Sequence, residues 1–107
     1  MSTPYTDAEP ARSTIDTLPG PAVLEFGAAW CPICQAAQPL IGDALAQHPQ
    51  VRHLQVEDGK GRPLGRSFGV KLWPTLIFLR DGREVAREVR PQDRAALARA
   101  LREIDPA

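Results

Sequence analysis

The sequence predicts an α/β fold in three layers, a central mixed β-sheet with helices on both faces. Three observations carry that prediction. Short apolar runs, Val23 to Phe26 and Thr75 to Leu79, alternate with stretches of helical spacing. The stretch after Cys31 puts Ala37, Leu40, Ile41, Ala44 and Leu45 at intervals of 3, 4 and 7, the stripe of an amphipathic helix. Asp81-Gly82 between two strand-like runs is the signal of a tight hairpin, so the sheet ends in antiparallel strands.

The elements follow in order. Residues 7–18 are expected to hold a short first helix, interrupted at Pro10, and Leu18-Pro19-Gly20-Pro21 breaks the chain. Val23 to Phe26, apolar but for Glu25, reads as a central strand. A helix is expected from Cys31 to Gln47, kinked at Pro39 and ended by His48-Pro49. Val51 to Val56 alternates and reads as a second strand. Gly59, Gly61, Pro63, Gly65 and Gly69 make residues 58–69 a loop with a short helix near Leu64 to Phe68. Thr75 to Leu79 is the strongest strand signal, and the hairpin leads into Glu84 to Val89. Pro91 suits the first position of a last helix reaching Ile104, with Leu97, Leu101 and Ile104 inward and arginines outward. The order is a first helix, then β-α-β-α-β-β-α, without internal repeats.

Bulk properties narrow the function. With 107 residues, a single domain spanning 1–107 is expected, loosely held over about residues 1–13, where Pro4 and Pro10 fall. Thirteen basic residues balance thirteen acidic ones, so charge gives no reason to expect nucleic acid or a membrane as partner. The amino end lacks a basic stretch and an apolar core, so no secretory signal is expected. No apolar run approaches the roughly 20 residues of a membrane span. A cytoplasmic protein is therefore expected, in which a C-x-x-C pair is catalytic or metal-binding rather than a structural bridge.

Cys31-Pro32-Ile33-Cys34 holds both cysteines of the chain. Pro32 fits the first position inside a helix, where its missing N–H costs nothing. That makes Cys31 the N-cap, its sulfur facing unpaired backbone N–H groups and the positive end of the helix dipole. Both favour a thiolate. Cys34, one turn further in, can attack a mixed disulfide formed at Cys31. The geometry thus predicts an exposed nucleophile, Cys31, and a shielded resolving thiol, Cys34.

Trp30-Cys31-Pro32-Ile33-Cys34, preceded by Val23-Leu24-Glu25-Phe26 and followed by Pro39, resembles the thioredoxin family. So does Trp73-Pro74-Thr75 ahead of Leu76-Ile77-Phe78 and Asp81-Gly82. The resemblance runs from about Pro21 to Ile104 and implies the thioredoxin fold. It implies that Pro74 is a cis proline beside the cysteines, and that backbone groups of Trp73 pair with an extended substrate segment. Glu25 falls where the family carries a buried acid; burial would raise its pKa and let it exchange a proton with Cys34 near neutral pH. His53 aligns with a basic residue near that acid and is a candidate proton relay. The chain departs from the family in Pro32-Ile33 between the cysteines, in Trp73 before the proline, and in Arg90 where a glycine is usual. Trp30, Pro32, Ile33, Trp73, Pro74 and Arg90 are the expected substrate surface.

The resemblance implies a thiol–disulfide oxidoreductase, a reductase of protein disulfides, re-reduced by an NADPH-dependent thioredoxin reductase or another thiol donor. It implies no bound cofactor, and a monomer is expected. The alternative is a binding or chaperone module on the same fold, with redox chemistry secondary. Plainer readings stand beside these: Trp30 and Trp73 as core residues, His53 as a surface histidine, His48 as a helix-end residue facing the dipole. Cys31, Cys34, His48 and His53 match the loose spacing of a zinc site. The context fails, because the cysteines open a helix and Pro49 separates the histidines.

Overall fold

The structure, a computed structural model, describes Tyr5, Thr6 and residues 8–105. Its elements are α1 (Arg12–Asp16), β1 (Pro21–Gly27), α2 (Pro32–Ala46), β2 (Arg52–Glu57), α3 (Pro63–Ser67), β3 (Thr75–Arg80), β4 (Arg83–Val89) and α4 (Arg94–Ile104). One four-stranded sheet runs in the order β2-β1-β3-β4. β2 lies parallel to β1, while β3 and β4 are antiparallel to their neighbours. This is the mixed sheet and element order read from the sequence.

The period-2 alternation of β1 and β3 divides the core. Ala22, Leu24, Phe26, Ile77 and Leu79 face one side with Ile15 of α1 and Leu64 of α3. Val23, Leu76 and Phe78 face the other with Ala37 and Ile41 of α2 and Leu97, Leu101 and Ile104 of α4. Burial on both faces explains why β1 is apolar throughout except at Glu25. β3 and β4 turn at Asp81 (φ 51°) and Gly82 (φ 79°), the two left-handed residues of a type I′ hairpin. A Cβ on Gly82 would run into the Asp16 backbone, so glycine is required there for space as well as for φ.

Two ends differ from expectation. The first helix covers Arg12–Asp16 rather than 7–18, because Pro10 cannot sit within it and Ala11 is extended. Of the segment expected before Pro10, Asp7 lies outside the described residues, while Thr6 bridges Val56 in parallel, with Thr6 N to Gln55 O at 3.0 Å and Glu57 N to Thr6 O at 2.9 Å. The described part of the amino-terminal arm is therefore tied to the β2 edge. The last helix starts at Arg94, not Pro91, because the Asp93 carboxylate accepts from Ala95 N at 2.8 Å and caps it. Pro39 lies inside α2, which continues through it to Ala46.

Candidate functional site

β1 ends at Gly27, and the chain turns through Ala28 to Trp30 into α2. Cys31 is the N-cap and Pro32 the first helical residue, as the sequence predicts. Cys31 Sγ accepts from Cys34 N at 3.3 Å, filling one of the donors that a helix start leaves unpaired. Cys31 is less open than expected, 7% exposed, because Tyr5 and Trp73 pack against the Ala28, Cys31 and Cys34 cluster. Cys34 is fully buried. Burial pushes the Cys34 thiol up to about 11, with the neighbouring Cys31 adding to the shift.

Trp30, 69% exposed, and Ile33, 42% exposed, form an apolar rim around the pair. Trp30 is a surface ring rather than a core residue and meets Trp73 edge-on, centroids 5.6 Å apart. The Trp73–Pro74 bond is cis and Pro74 is buried. Trp73 Nε1 donates to Asp58 Oδ2 at 2.9 Å. Arg90 holds φ at 49°, the left-handed backbone that makes glycine the easier choice at this position. Its main-chain N donates to Pro74 O and its Nε to Trp73 O, both at 2.8 Å. The carbonyl expected to pair with substrate is thus already in contact with Arg90.

Glu25 is fully buried beneath the cysteines. Its Oε2 accepts from the Tyr5 hydroxyl, from Gln38 Nε2 at 2.8 Å and from Gln55 Nε2 at 3.4 Å. His53 Nε2 lies 2.7 Å from Oε1. Here the sequence-based expectation is overturned. Burial is the largest influence and alone would raise the Glu25 pKa, but the bonds from His53, Tyr5 and Gln38 outweigh it and hold the carboxyl below its ordinary range. The carboxylate is therefore ionised at neutral pH, and His53 Nε2 is the donor toward it. The Tyr5 side chain also packs against the Ala28, Cys31 and Cys34 cluster, so one phenol lies between acid and thiol.

All the expected site residues are brought into one neighbourhood. Tyr5, Gly27, Gln38, Gln55 and Asp58 were not singled out by the sequence. Gln38 lies one helical turn after Cys34, and Gln55 is the strand partner of Glu25, so both had a positional signal. Tyr5, in a proline-rich arm far from the motif, had none. The zinc spacing does not close: His53 is on Glu25, and His48 Nδ1 sits 2.8 Å from Asp105 Oδ2. Among the described residues no group of three or more His, Cys, Asp and Glu side chains is placed to hold a metal. None of the described helices is long and apolar enough to cross a membrane.

The family model described as Thioredoxin matches residues 5–103. The chain is 35% identical over 83 residues to a thioredoxin of Chlamydia muridarum, covering 77% of this chain and 80% of that protein. It is 29% identical over 117 residues to a bifunctional thioredoxin reductase/thioredoxin of Mycobacterium leprae, spanning 98% of this chain and 26% of that longer protein. Among solved structures, reduced thioredoxin 2 from Pseudomonas aeruginosa superposes with a TM-score of 0.87 at 56% identity, over 97% of this chain and 96% of that one.

Proposed function

Because this chain belongs to the thioredoxin family, we propose that it is a single-domain reductase of protein disulfides in which Cys31 is the nucleophile and Cys34 the resolving thiol. That it is a thiol–disulfide oxidoreductase follows from the family and its relatives. The direction and the roles are our reading. The observation that carries them is the asymmetry of the pair: Cys31 Sγ caps the helix start and keeps a slight exposure, while Cys34 is fully buried with its thiol pushed up to about 11.

The Cys31 thiolate attacks one sulfur of a substrate disulfide, and the other leaves as a thiolate. Cys34 then attacks Cys31 Sγ, and the bond between Cys31 and the substrate breaks. The substrate leaves with both sulfurs reduced, and the dithiol, having given up two electrons, holds a Cys31–Cys34 bond. Trp30, Pro32, Ile33, Trp73 and Pro74 offer the contact surface, and Arg90 on the Trp73 carbonyl selects among partners. Glu25, ionised and bonded to the Tyr5 that packs against Cys34, serves as the base for the resolving thiol. His53 connects Glu25 with a groove of about 800 Å³ between α2 and β2, and relays the proton outward.

Re-reduction by an NADPH-dependent thioredoxin reductase, or another thiol donor, completes the cycle. The relative from Mycobacterium leprae, whose name joins a thioredoxin reductase to a thioredoxin, supports that choice. The protein acts as a cytoplasmic monomer without a bound cofactor. Cys34→Ser is expected to trap covalent complexes through Cys31, and Cys31→Ser to trap none; equal trapping by both sinks the assigned roles. A potential near the reducing end of the roughly −270 to −120 mV span of such proteins, measured against glutathione, supports the direction. A value near the other end reverses it.

A further inference from the structure

We propose that the Tyr5 phenol is a catalytic proton carrier between Cys34 and Glu25, delivered to the site by the amino-terminal arm. The inference rests on the Cys31 and Cys34 roles above. Cys34 is fully buried, so the proton it sheds on attacking the mixed disulfide has no solvent to enter. The Tyr5 side chain packs against that thiol, and its hydroxyl donates to Glu25 Oε2.

Three features build this contact. Thr6 pairs with β2 on both sides of Val56 and so fixes the residue before it. The Tyr5 ring packs against Ala28, Cys31 and Cys34. Gly27 leaves the space, since a Cβ there would lie 2.7 Å from both Cys34 Sγ and the Tyr5 oxygen. The titratable groups around the hydroxyl are Cys31 and Cys34 from α2 and Glu25 from β1, with His53 of β2 behind Glu25. Gln38 and Gln55 add only neutral amides.

Burial, then the charge of Glu25, pushes the Tyr5 hydroxyl far above its usual range, so it rests protonated and works as a relay. Once Cys31 is in a mixed disulfide its sulfur carries no charge, which removes part of what holds the Cys34 proton. The Cys34 proton then passes to Tyr5 as the Tyr5 proton passes to Glu25. Cys34 Sγ bonds Cys31 Sγ, and the electron pair of the broken bond leaves with the substrate sulfur, which solvent protonates. Two electrons leave the dithiol and two reduce the substrate disulfide.

The test mixes reduced protein with the aromatic disulfide dithionitrobenzoate in a stopped-flow instrument. Attack by Cys31 releases one coloured thiolate, and ring closure by Cys34 releases the second. In Tyr5→Phe the first phase is expected unchanged and the second slowed about 10²-fold or more at neutral pH, the usual range for a positioned proton-transfer group. The deficit closes as pH rises and Cys34 ionises unaided. Equal second phases at every pH overturn the proposal, and so does a uniform slowing that ignores pH, which assigns Tyr5 to packing alone. Should Tyr5→Phe fail to fold, the unaltered protein decides: the second phase is expected to slow in heavy water while the first does not, and no slowing of the second phase overturns the relay. Release of a single thiolate by the unaltered protein, or a second phase that survives Cys34→Ser, removes the underlying roles and the relay with them.

Discussion

The indole nitrogen of Trp73 donates to an Asp58 carboxylate oxygen at 2.9 Å, tying the ring beside the cysteines to the loop after β2. The carboxylate sits over Gly65, where a Cβ would overlap it. Trp73 in turn meets Trp30 edge-on. The rim of the site is thus a chain of contacts from α3 to the helix start of α2, and its shape depends on a loop far from the motif in sequence.

Asp58→Ala cuts that chain. A hydrogen bond to a charged group contributes about 1.5–3 kcal/mol when well shielded, and this half-buried one belongs at or below the lower end. Stability is expected to fall by about 1 kcal/mol in urea. The functional effect is the sharper one: KM for a protein disulfide rises several-fold, while reduction of a small aromatic disulfide, which needs no rim, is unchanged. Equal losses on both substrates would show that Asp58 supports the fold and not the contact surface.

Gly27→Ala tests the crowding beneath the cysteines. The new Cβ would stand 2.7 Å from both Cys34 Sγ and the Tyr5 oxygen. Overpacking of this kind costs about 1–3 kcal/mol. Tyr5→Ala in the same chain removes one of the two clashes, so the double variant is expected to lose less than the sum of the singles. Additive losses in urea unfolding would mean that the arm does not rest on Gly27.

Glu25 makes a prediction about acid. Its folded pKa is held below the ordinary value of 4.5: burial is the largest single influence and raises it, but the bonds from His53, Tyr5 and Gln38 together outweigh burial. A carboxyl with a depressed folded pKa stabilises the fold above the unfolded pKa, and that contribution is lost as pH falls through the folded value. The urea midpoint should therefore hold from neutral pH to about 5 and drop below about 4. Glu25→Gln is expected to flatten that acid limb. A variant that loses stability in acid as steeply as the parent would place the effect elsewhere.

The cage around Glu25 also marks the limit of what could be read in advance. The sheet was legible because β1 and β3 bury both faces and so read as apolar runs, that of β1 interrupted once by Glu25. The helix start at Cys31 was legible because Pro32 has one favoured place in a helix. The charge state of Glu25 was not, because it is a balance between burial and donors from the arm, α2 and β2. A residue's burial can be guessed from its strand, but the number of its donors is a tertiary fact. The same holds for α4, where Pro91 offered a local start and the Asp93 side chain supplied the actual cap. Arg90 was legible as a departure from the resemblance, yet its partner was not.

That partner gives the last prediction. Arg90 Nε donates to Trp73 O at 2.8 Å, and Arg90 is exposed, so its guanidinium competes with any backbone N–H that a substrate strand offers to the same carbonyl. A substrate must displace or share that bond, whose net contribution is about 1 kcal/mol, and the difference between partners then depends on what each offers the displaced cation. An acidic side chain near the substrate cysteine would receive it; a basic one would be repelled. Arg90→Gly frees the carbonyl and suits the φ of 49°. It is expected to raise kcat/KM several-fold for disulfide peptides with lysine beside the cysteine and to change it little, or lower it, for peptides with glutamate there. Arg90→Lys, which keeps the charge but lacks Nε, should retain the preference for glutamate while weakening the hold on Trp73. A variant series in which all peptides gain or lose together would mean that Arg90 gates access without choosing among partners.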